Sequence, residues 1–169
     1  MGIFTPDVKT LRELYTTELK NALNMERQIV EKGLPAMIEK STSRELKTAF
    51  QNHLEESKEH VSRLERILDE NEGEANEGNC KVASALISEA SSHISDAGDT
   101  AIRDVILIAA GNQVEHHEIA VYGTLRNWAE VLGEDEHAAV FERTLEEEKN
   151  ADALLTSLSE QINVAAPVA

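Results

Sequence analysis

Three features of the chain predict an all-α fold of four long helices. Apolar side chains recur at helical spacing through most of its length, and no segment shows the period-2 alternation of a strand. The periodic segments are separated by two short turns and one longer crossover. Hydrophobic residues make up 41%, aromatics only 4%, and there are three prolines, which favours long helices packed through Leu, Ile, Val and Ala. At 169 residues the chain is long enough for one compact domain with a sizeable core.

Helix A is expected to open at Thr5-Pro6-Asp7, a cap residue followed by proline in the first turn. It carries Val8, Tyr15, Leu19, Ala22, Ile29, Val30 and Met37 on one stripe, and Pro35 marks a late kink or an end. Thr42 and Glu45 have capping-box spacing and open helix B. Its stripe is Leu46, Phe50, His53, Ser57, His60, Leu64 and Leu68. Residues 72–79 read as a polar loop with two glycines. A shorter amphipathic helix over 81–97 runs through Val82, Leu86, Ala90 and Ile94, closed by Gly98. Asp99 caps helix C, about 101–132, and Gly133 terminates it. Helix D is expected over about 135–162, with Phe141, Leu145, Leu155 and Ile162 facing inward. The bundle would then occupy 1–162, leaving 163–169 as a disordered tail.

The A–B and C–D connections are short, so each pair is an antiparallel hairpin. The B–C connection holds a helix of about 17 residues, roughly 25 Å at 1.5 Å per residue. That spans the bundle and leaves helix C parallel to helix B. Two hairpins joined by one long crossover is the ferritin-like arrangement. The halves also echo each other: the segment from His53 to Lys58 resembles Thr144 to Lys149, and Asn24-Met25-Glu26 resembles Gln113-Val114-Glu115.

With 32 acidic and 16 basic side chains the formal charge is −16. Such a surface repels nucleic acid and anionic membranes and draws cations, so no nucleic-acid or membrane partner is expected. No run of about 18 apolar residues is present. The start, MGIFTPDVKT, lacks a basic n-region and an apolar h-region, and Pro6 stands where myristoylation prefers Ser or Thr. Cys80 is the single cysteine, which excludes an intrachain disulfide and fits a reducing compartment. The cytoplasm is the expected location.

The chemistry concentrates in Glu115-His116-His117-Glu118, mid-way along helix C where Leu or Ala would be usual. At roughly 100° per residue, Ile108, Glu115, Tyr122 and Ala129 fall on nearly one line, with Glu118 within reach of the same face. Burying an ionised carboxylate without a partner is very costly, so a cation is expected inside. Glu26 lies on helix A's stripe between Ala22 and Ile29. His53 lies on helix B's stripe with Glu56 at its edge, and Glu148 on helix D sits between Phe141 and Leu155, with Asp152 a turn later. Reflecting each hairpin about its turn, at about residue 41 and about residue 133.5, levels Glu26 with Glu56 and Glu115 and Glu118 with Asp152 and Glu148.

Carboxylates and a histidine converging at bundle mid-height are how di-iron and di-manganese sites are built, and such donors suit Fe or Mn. The expected site holds two ions per chain through Glu26, His53, Glu56, Glu115, Glu118, Glu148 and Asp152. His116 is placed behind a carboxylate ligand in a supporting role, and Tyr122 is a candidate redox neighbour. Helix B reads His-x-x-Glu, the reverse of the usual order, and helix D has no histidine in its Glu148–Asp152 segment. A carboxylate-rich pair of ions, or a strong site beside a weak one, is therefore expected. The plainer readings are that a single Glu is a solvated flank residue, as assigned to Glu147, and that His60 is a core-edge histidine. Met25 and Met37 read as packing, and Tyr122 as a core tyrosine whose hydroxyl needs a partner. The carboxylates could also pair with Arg126 or Arg103 instead of a metal.

The segments MERQIVEKGLP, HLEESKEHVSRLERI, RDVILIAAGNQVEHHEIAVYGTL and LEEEKNADALL resemble the bacterial YciE/YciF family of ferritin-like stress proteins, over about residues 5–160. That family typically reads V-E-H-Y-E-I-A-x-Y-G-T-L where this chain has VEHHEIAVYGTL, so His117 replaces an aromatic. Carried over by position, the resemblance singles out Glu26, His53, Glu56, Glu115, His116, Glu118, Tyr122, Glu148 and Asp152, whereas His60 matches no family position. It implies a ferritin-like bundle, often a homodimer, linked to stress responses and without a known substrate. The leading expectation is redox chemistry of bound Fe or Mn with dioxygen or peroxide. A metal binder without turnover and a structural module are the alternatives.

Overall fold

The computed structural model describes residues 8–72 and 76–168, and among these there is helix but no strand. The first helix, α1, spans Leu11–Gln28. The Thr10 hydroxyl accepts the Glu13 N–H at 3.2 Å, and the Glu13 carboxylate accepts the Thr10 N–H at 2.9 Å. The start expected at Thr5-Pro6-Asp7 lies outside the described residues. Val8 precedes the helix and is exposed, so it is not part of the stripe.

Pro35 does not end the rod. A π-helical turn over Ile29–Gly33 precedes it, closed by the Leu34 N–H on the Ile29 carbonyl, and α2 continues over Leu34–Lys40. Proline has no N–H to offer the Glu31 carbonyl, and the helix widens into this π-turn just before it. Helix α3 covers Arg44–Glu72. Its first turn is capped by Ser43, whose hydroxyl accepts the Leu46 N–H at 3.2 Å, rather than by Thr42. Thr42 is diverted: its N–H and hydroxyl both donate to the buried Asp104 carboxylate.

The crossover after α3 is stitched to α1, with Gly78 N–H on the Lys20 carbonyl at 2.7 Å and Cys80 N–H on Asn24 Oδ1 at 2.8 Å. A Cβ at Gly78 would lie 2.4 Å from Asn21 Oδ1, so the close approach needs glycine. Helix α4, Lys81–Asp96, is capped by the Cys80 sulfur. Helix α5, Thr100–Leu132, is capped by Asp99 and closed by Gly133 at φ +75°. Helix α6, Asp135–Ala165, runs three residues beyond the expected end at 162.

Contacts fix the directions. Ser43–Asp104 and His53–Glu115 lie 61 and 62 residues apart, so α3 and α5 run parallel. Arg12–Glu134 and Tyr15–His137 both lie 122 apart, so α1 and α6 are parallel too. Asn112–Asp152 with Arg126–Glu142 makes α5 antiparallel to α6, and His60–Glu147 with Arg63–Thr144 does the same for α3 and α6. The apolar faces meet in one core that includes Tyr15, Leu19, Phe50, Leu107, Leu125 and Phe141. Each such large side chain contributes about 1.5–3 kcal/mol on burial. No described helix is long and apolar enough to cross a membrane.

Candidate metal centre

Halfway along the core the apolar packing gives way to acids and imidazoles. Glu26 comes from α1, His53 and His60 from α3, Glu115 and Glu118 from α5, and Glu148 from α6, all buried. They form two overlapping groups: His53, Glu115, Glu118 and Glu148, and Glu26, His60 and Glu148. Within each group one donor atom per residue lies within 4.8 Å of the others. His53 Nε2 is 3.3 Å from Glu115 and 3.7 Å from Glu148, while His60 Nδ1 is 2.9 Å from Glu148 and 3.3 Å from Glu26. Tyr122, itself buried, donates its hydroxyl to Glu26.

Many of these polar atoms have no hydrogen-bond partner. They include both oxygens of Glu118 and of Glu148, one oxygen each of Glu26 and Glu115, both nitrogens of His53, and Nδ1 of His60. Buried polar groups are normally satisfied, because an unmade bond costs roughly 1–3 kcal/mol and more for a charge. Carboxylate oxygens and imidazole nitrogens without hydrogen-bond partners, converging from four helices, are a donor set that could hold a metal ion.

Each histidine is also braced on its far side. His60 Nε2 meets Glu147 at 3.0 Å, and His53 Nδ1 faces Glu56 at 3.7 Å. Carboxylate-braced histidines are typical of metal ligands, whose ring orientation the outer carboxylate sets. Glu147 is in turn gripped by Arg63 at 2.5 Å and Arg143 at 3.1 Å.

Without metal the electrostatics are frustrated. Burial pushes the Glu115 carboxyl up to about 8, with Glu148 adding to it against the opposing charge of His53. Glu118, fully buried, is raised well above its ordinary value by burial and then by Glu148, Glu26 and Glu115. Burial opposes protonation of His53, but Glu56, Glu115, Glu148 and Glu26 outweigh it and raise the ring to about 9. His60 goes to about 11, burial being overcome by Glu148 and Glu26. For Glu147 burial is overcome by Arg63 and His60, which bring it down to about 2.

The structure brings together Glu26, His53, Glu115, Glu118 and Glu148 of the expected ligands, with Tyr122 beside them. Three expected residues lie elsewhere. Glu56 is half exposed at 52% and reaches the centre only through His53. Asp152 faces the outer seam of α5 and α6, where Asn112 Nδ2 donates to it at 2.6 Å. His116 is 70% exposed and pairs with Asp152 at 3.2 Å rather than bracing a buried carboxylate. Arg126 pairs with the half-buried Glu142, not with the core acids.

His60 is the residue missed. At about 100° per residue it stands only about 20° from His53 on α3, whereas Glu56 stands about 60° away. The turn spans 41–43, so the mirror of Glu26 is residue 58, between Glu56 and His60. Side chains lean towards helix N-termini, which tips Glu26 away from the turn and His60 towards it, and this selects His60. Glu147, expected on the solvent face, is only 22% exposed and braces His60 at 3.0 Å.

The similarities of the chain agree with this architecture. It is 34% identical over 154 residues to protein YciF of Escherichia coli (strain K12), covering 90% of this chain and 92% of that one. The crystal structure of the E. coli stress protein YciF matches with a TM-score of 0.88 at 32% identity, over 94% of this chain and all of that one. YcfI from Rhodopseudomonas palustris matches with a TM-score of 0.87 at 35% identity, over 90% of this chain and 97% of that one. The family model described as a domain of unknown function, DUF892, spans residues 10–166. By that span and by its kinship with YciF, the chain belongs to the DUF892 family.

Proposed function

We propose that the protein is a ferritin-like dinuclear metalloprotein that holds two Fe or Mn ions and handles dioxygen or peroxide during stress. The observation that carries this reading is Glu148, which belongs to both ligand groups and whose two buried oxygens have no hydrogen-bond partner. His53, Glu115 and Glu118 would hold one ion, and Glu26 and His60 the other. Bound ions would supply Lewis acidity and electrons towards the oxidant. The protein's part is to fix the donors in a buried site and to aim the Tyr122 hydroxyl, as donor, at Glu26. The E. coli relative is described as a stress protein, which supports the physiological setting. A cytoplasmic homodimer remains our reading from the lone Cys80 and the family resemblance, to be checked by fractionation and sedimentation.

Anaerobic Fe(II) titration followed by exposure to air tests the proposal. We expect uptake of two ions per chain and oxidation faster than free Fe(II) in the same buffer. Uptake without faster oxidation would make this a metal-handling protein. No uptake of Fe or Mn at neutral pH would overturn the reading in favour of a structural role.

A further inference from the structure

Beneath α4 a cavity of about 290 Å³ leads from the surface to the candidate centre. Its deep wall includes the buried side chains of Phe50, His53 and Glu115, and apolar groups of the π-turn, α2 and α4 line its length. Its outer wall is exposed and carries Lys32 and Lys40 on one side with Ser91 and Ser95 on the other. The two rim charges are both ammonium groups, in a chain whose acids outnumber its bases 32 to 16. Lys40 shares its charge with Glu39 at 2.8 Å. Among the lining residues the sole acid is Glu115, at the deep end. A complementary ligand is anionic at the mouth and uncharged along its body.

We propose that this cavity binds one aliphatic carboxylate of medium chain length, its head on Lys32 and Lys40 and its hydrocarbon end against His53 and Glu115. Few polar groups fixing the orientation of a mostly apolar body is the usual construction of a small-molecule site. The volume suits a single chain, which favours a free fatty-acid anion over a two-chain phospholipid. The inference deepens the metal reading, on which it rests for any chemistry at the deep end. Binding itself needs no ion.

Calorimetric titration of straight-chain carboxylates from hexanoate to dodecanoate, below micelle-forming concentrations, tests it in chelator-treated and in anaerobic Fe(II)-loaded protein. Affinity should rise about fourfold per added CH₂, the fold-change equivalent to about 0.8 kcal/mol, and level off once the cavity is full. The matching alcohols should bind roughly threefold more weakly, the size expected for an exposed ion pair, and the double variant Lys32→Glu/Lys40→Glu should reverse that preference. Ile87→Trp, which plugs the cavity, should abolish binding. Ser91→Trp, at an exposed rim position that perturbs no packing, should weaken it at least tenfold. No binding of any chain length, or undiminished binding in both Trp variants with unchanged circular dichroism, would overturn the proposal. Alcohols binding as tightly as carboxylates would overturn the assigned head group. Decanoate binding in a protein that takes up neither Fe nor Mn would uphold the cavity and sink the metal reading. Metal uptake without decanoate binding would do the reverse.

Discussion

Helix α5 buries carboxylates in two places, and they are built in opposite ways. Near its start, Asp104 is 4% exposed and accepts three hydrogen bonds, from the N–H groups of Thr42 and Ser43 and from the Thr42 hydroxyl. It clamps the α2–α3 turn onto α5, and its charge is answered by donors of the protein itself. Near the middle, Glu118 is fully buried and neither oxygen has a partner. Burial is therefore shared by a structural acid and a candidate ligand. What separates them is whether the protein has supplied the donors.

The largest expected effects break this contrast directly. Glu148→Ala should lose both ions, since Glu148 belongs to both groups, while Asp104→Ala should keep both. Metal content by elemental analysis after anaerobic loading checks it. In stability the order inverts. Asp104→Ala strands three donors, of Thr42 and Ser43, and should cost about 3 kcal/mol, seen as a melting temperature roughly 6–12 °C lower. Glu118→Leu in chelated protein should be neutral or stabilising by about 1–4 kcal/mol, as when other unsupported buried charges are replaced. A Glu118→Leu protein less stable than chelated wild type would mean that the acid is held by the fold and not by a cation.

The second effect is on pH. In metal-free protein Glu115 titrates at about 8 against an ordinary 4.5, and Glu118 is raised as well. His53 and His60 stand at about 9 and about 11 against 6.5. All four groups bind protons more tightly when folded. Their stabilisation is complete below the unfolded values and is lost as pH rises, through about 8 for Glu115 and through about 9 and 11 for the histidines. Glu147, lowered to about 2, has the opposite sign, its contribution being present above 4.5 and lost on the way down to that value. Chelated protein should thus be most stable near about pH 5 and weaken towards about pH 8. Bound metal adds about 2.7 kcal/mol at a hundredfold excess over Kd, so chelation should lower the melting temperature more at the higher pH. A chelator effect equal at both ends of that range, in protein shown to contain metal, would contradict the frustrated centre.

The sequence carried the helices well because period and caps are local. Asp99 and Gly133 bound α5 as their chemistry demands. The stripe of α5 placed Glu115 and Tyr122, and that of α6 chose Glu148 over Glu147. It failed where a partner in another helix decides. Thr42 has capping-box spacing, yet Asp104, some 62 residues away, takes its hydroxyl and Ser43 caps instead. Asp152 lies near the α6 stripe, but Asn112 captures its oxygen. His60 lay on the α3 stripe throughout. The family pattern has no counterpart for it, and the mirror of Glu26 about the expected turn falls on Glu56 instead.

Smaller effects should separate the braces from the ligands. His60→Ala should cost one ion outright, whereas Glu56→Gln and Asp152→Asn should retain two, by the same loading assay. Glu147→Gln should weaken affinity by roughly 10- to 100-fold without lowering stoichiometry, as loss of an outer carboxylate on a metal-bound histidine does. Tyr122→Phe removes only a proton donor to Glu26 and should leave metal content intact while changing the rate of Fe(II) oxidation in stopped flow. An unchanged rate would make Tyr122 a packing residue.

The smallest effect expected is that of His116. Its neighbours in sequence, Glu115 and Glu118, point into the core, yet a helix turns about 100° per residue and carries His116 to the outer seam. There its ring is 70% exposed, and its one close charged partner, Asp152, is already held by Asn112. An exposed pair of this kind contributes about 0–1 kcal/mol, so His116→Ala should shift the melting temperature by no more than a few degrees. Metal affinity should stay within about threefold of wild type, far from the 10- to 100-fold loss that follows removal of a group bracing a ligand. Parallel titrations of His116→Ala and Glu147→Gln make the comparison internal, since both remove one polar side chain near the centre. If His116→Ala weakens binding as much as Glu147→Gln does, the outer seam is coupled to the ions. The line drawn between supported acids and orphaned ones would then have to move outward to include Asp152.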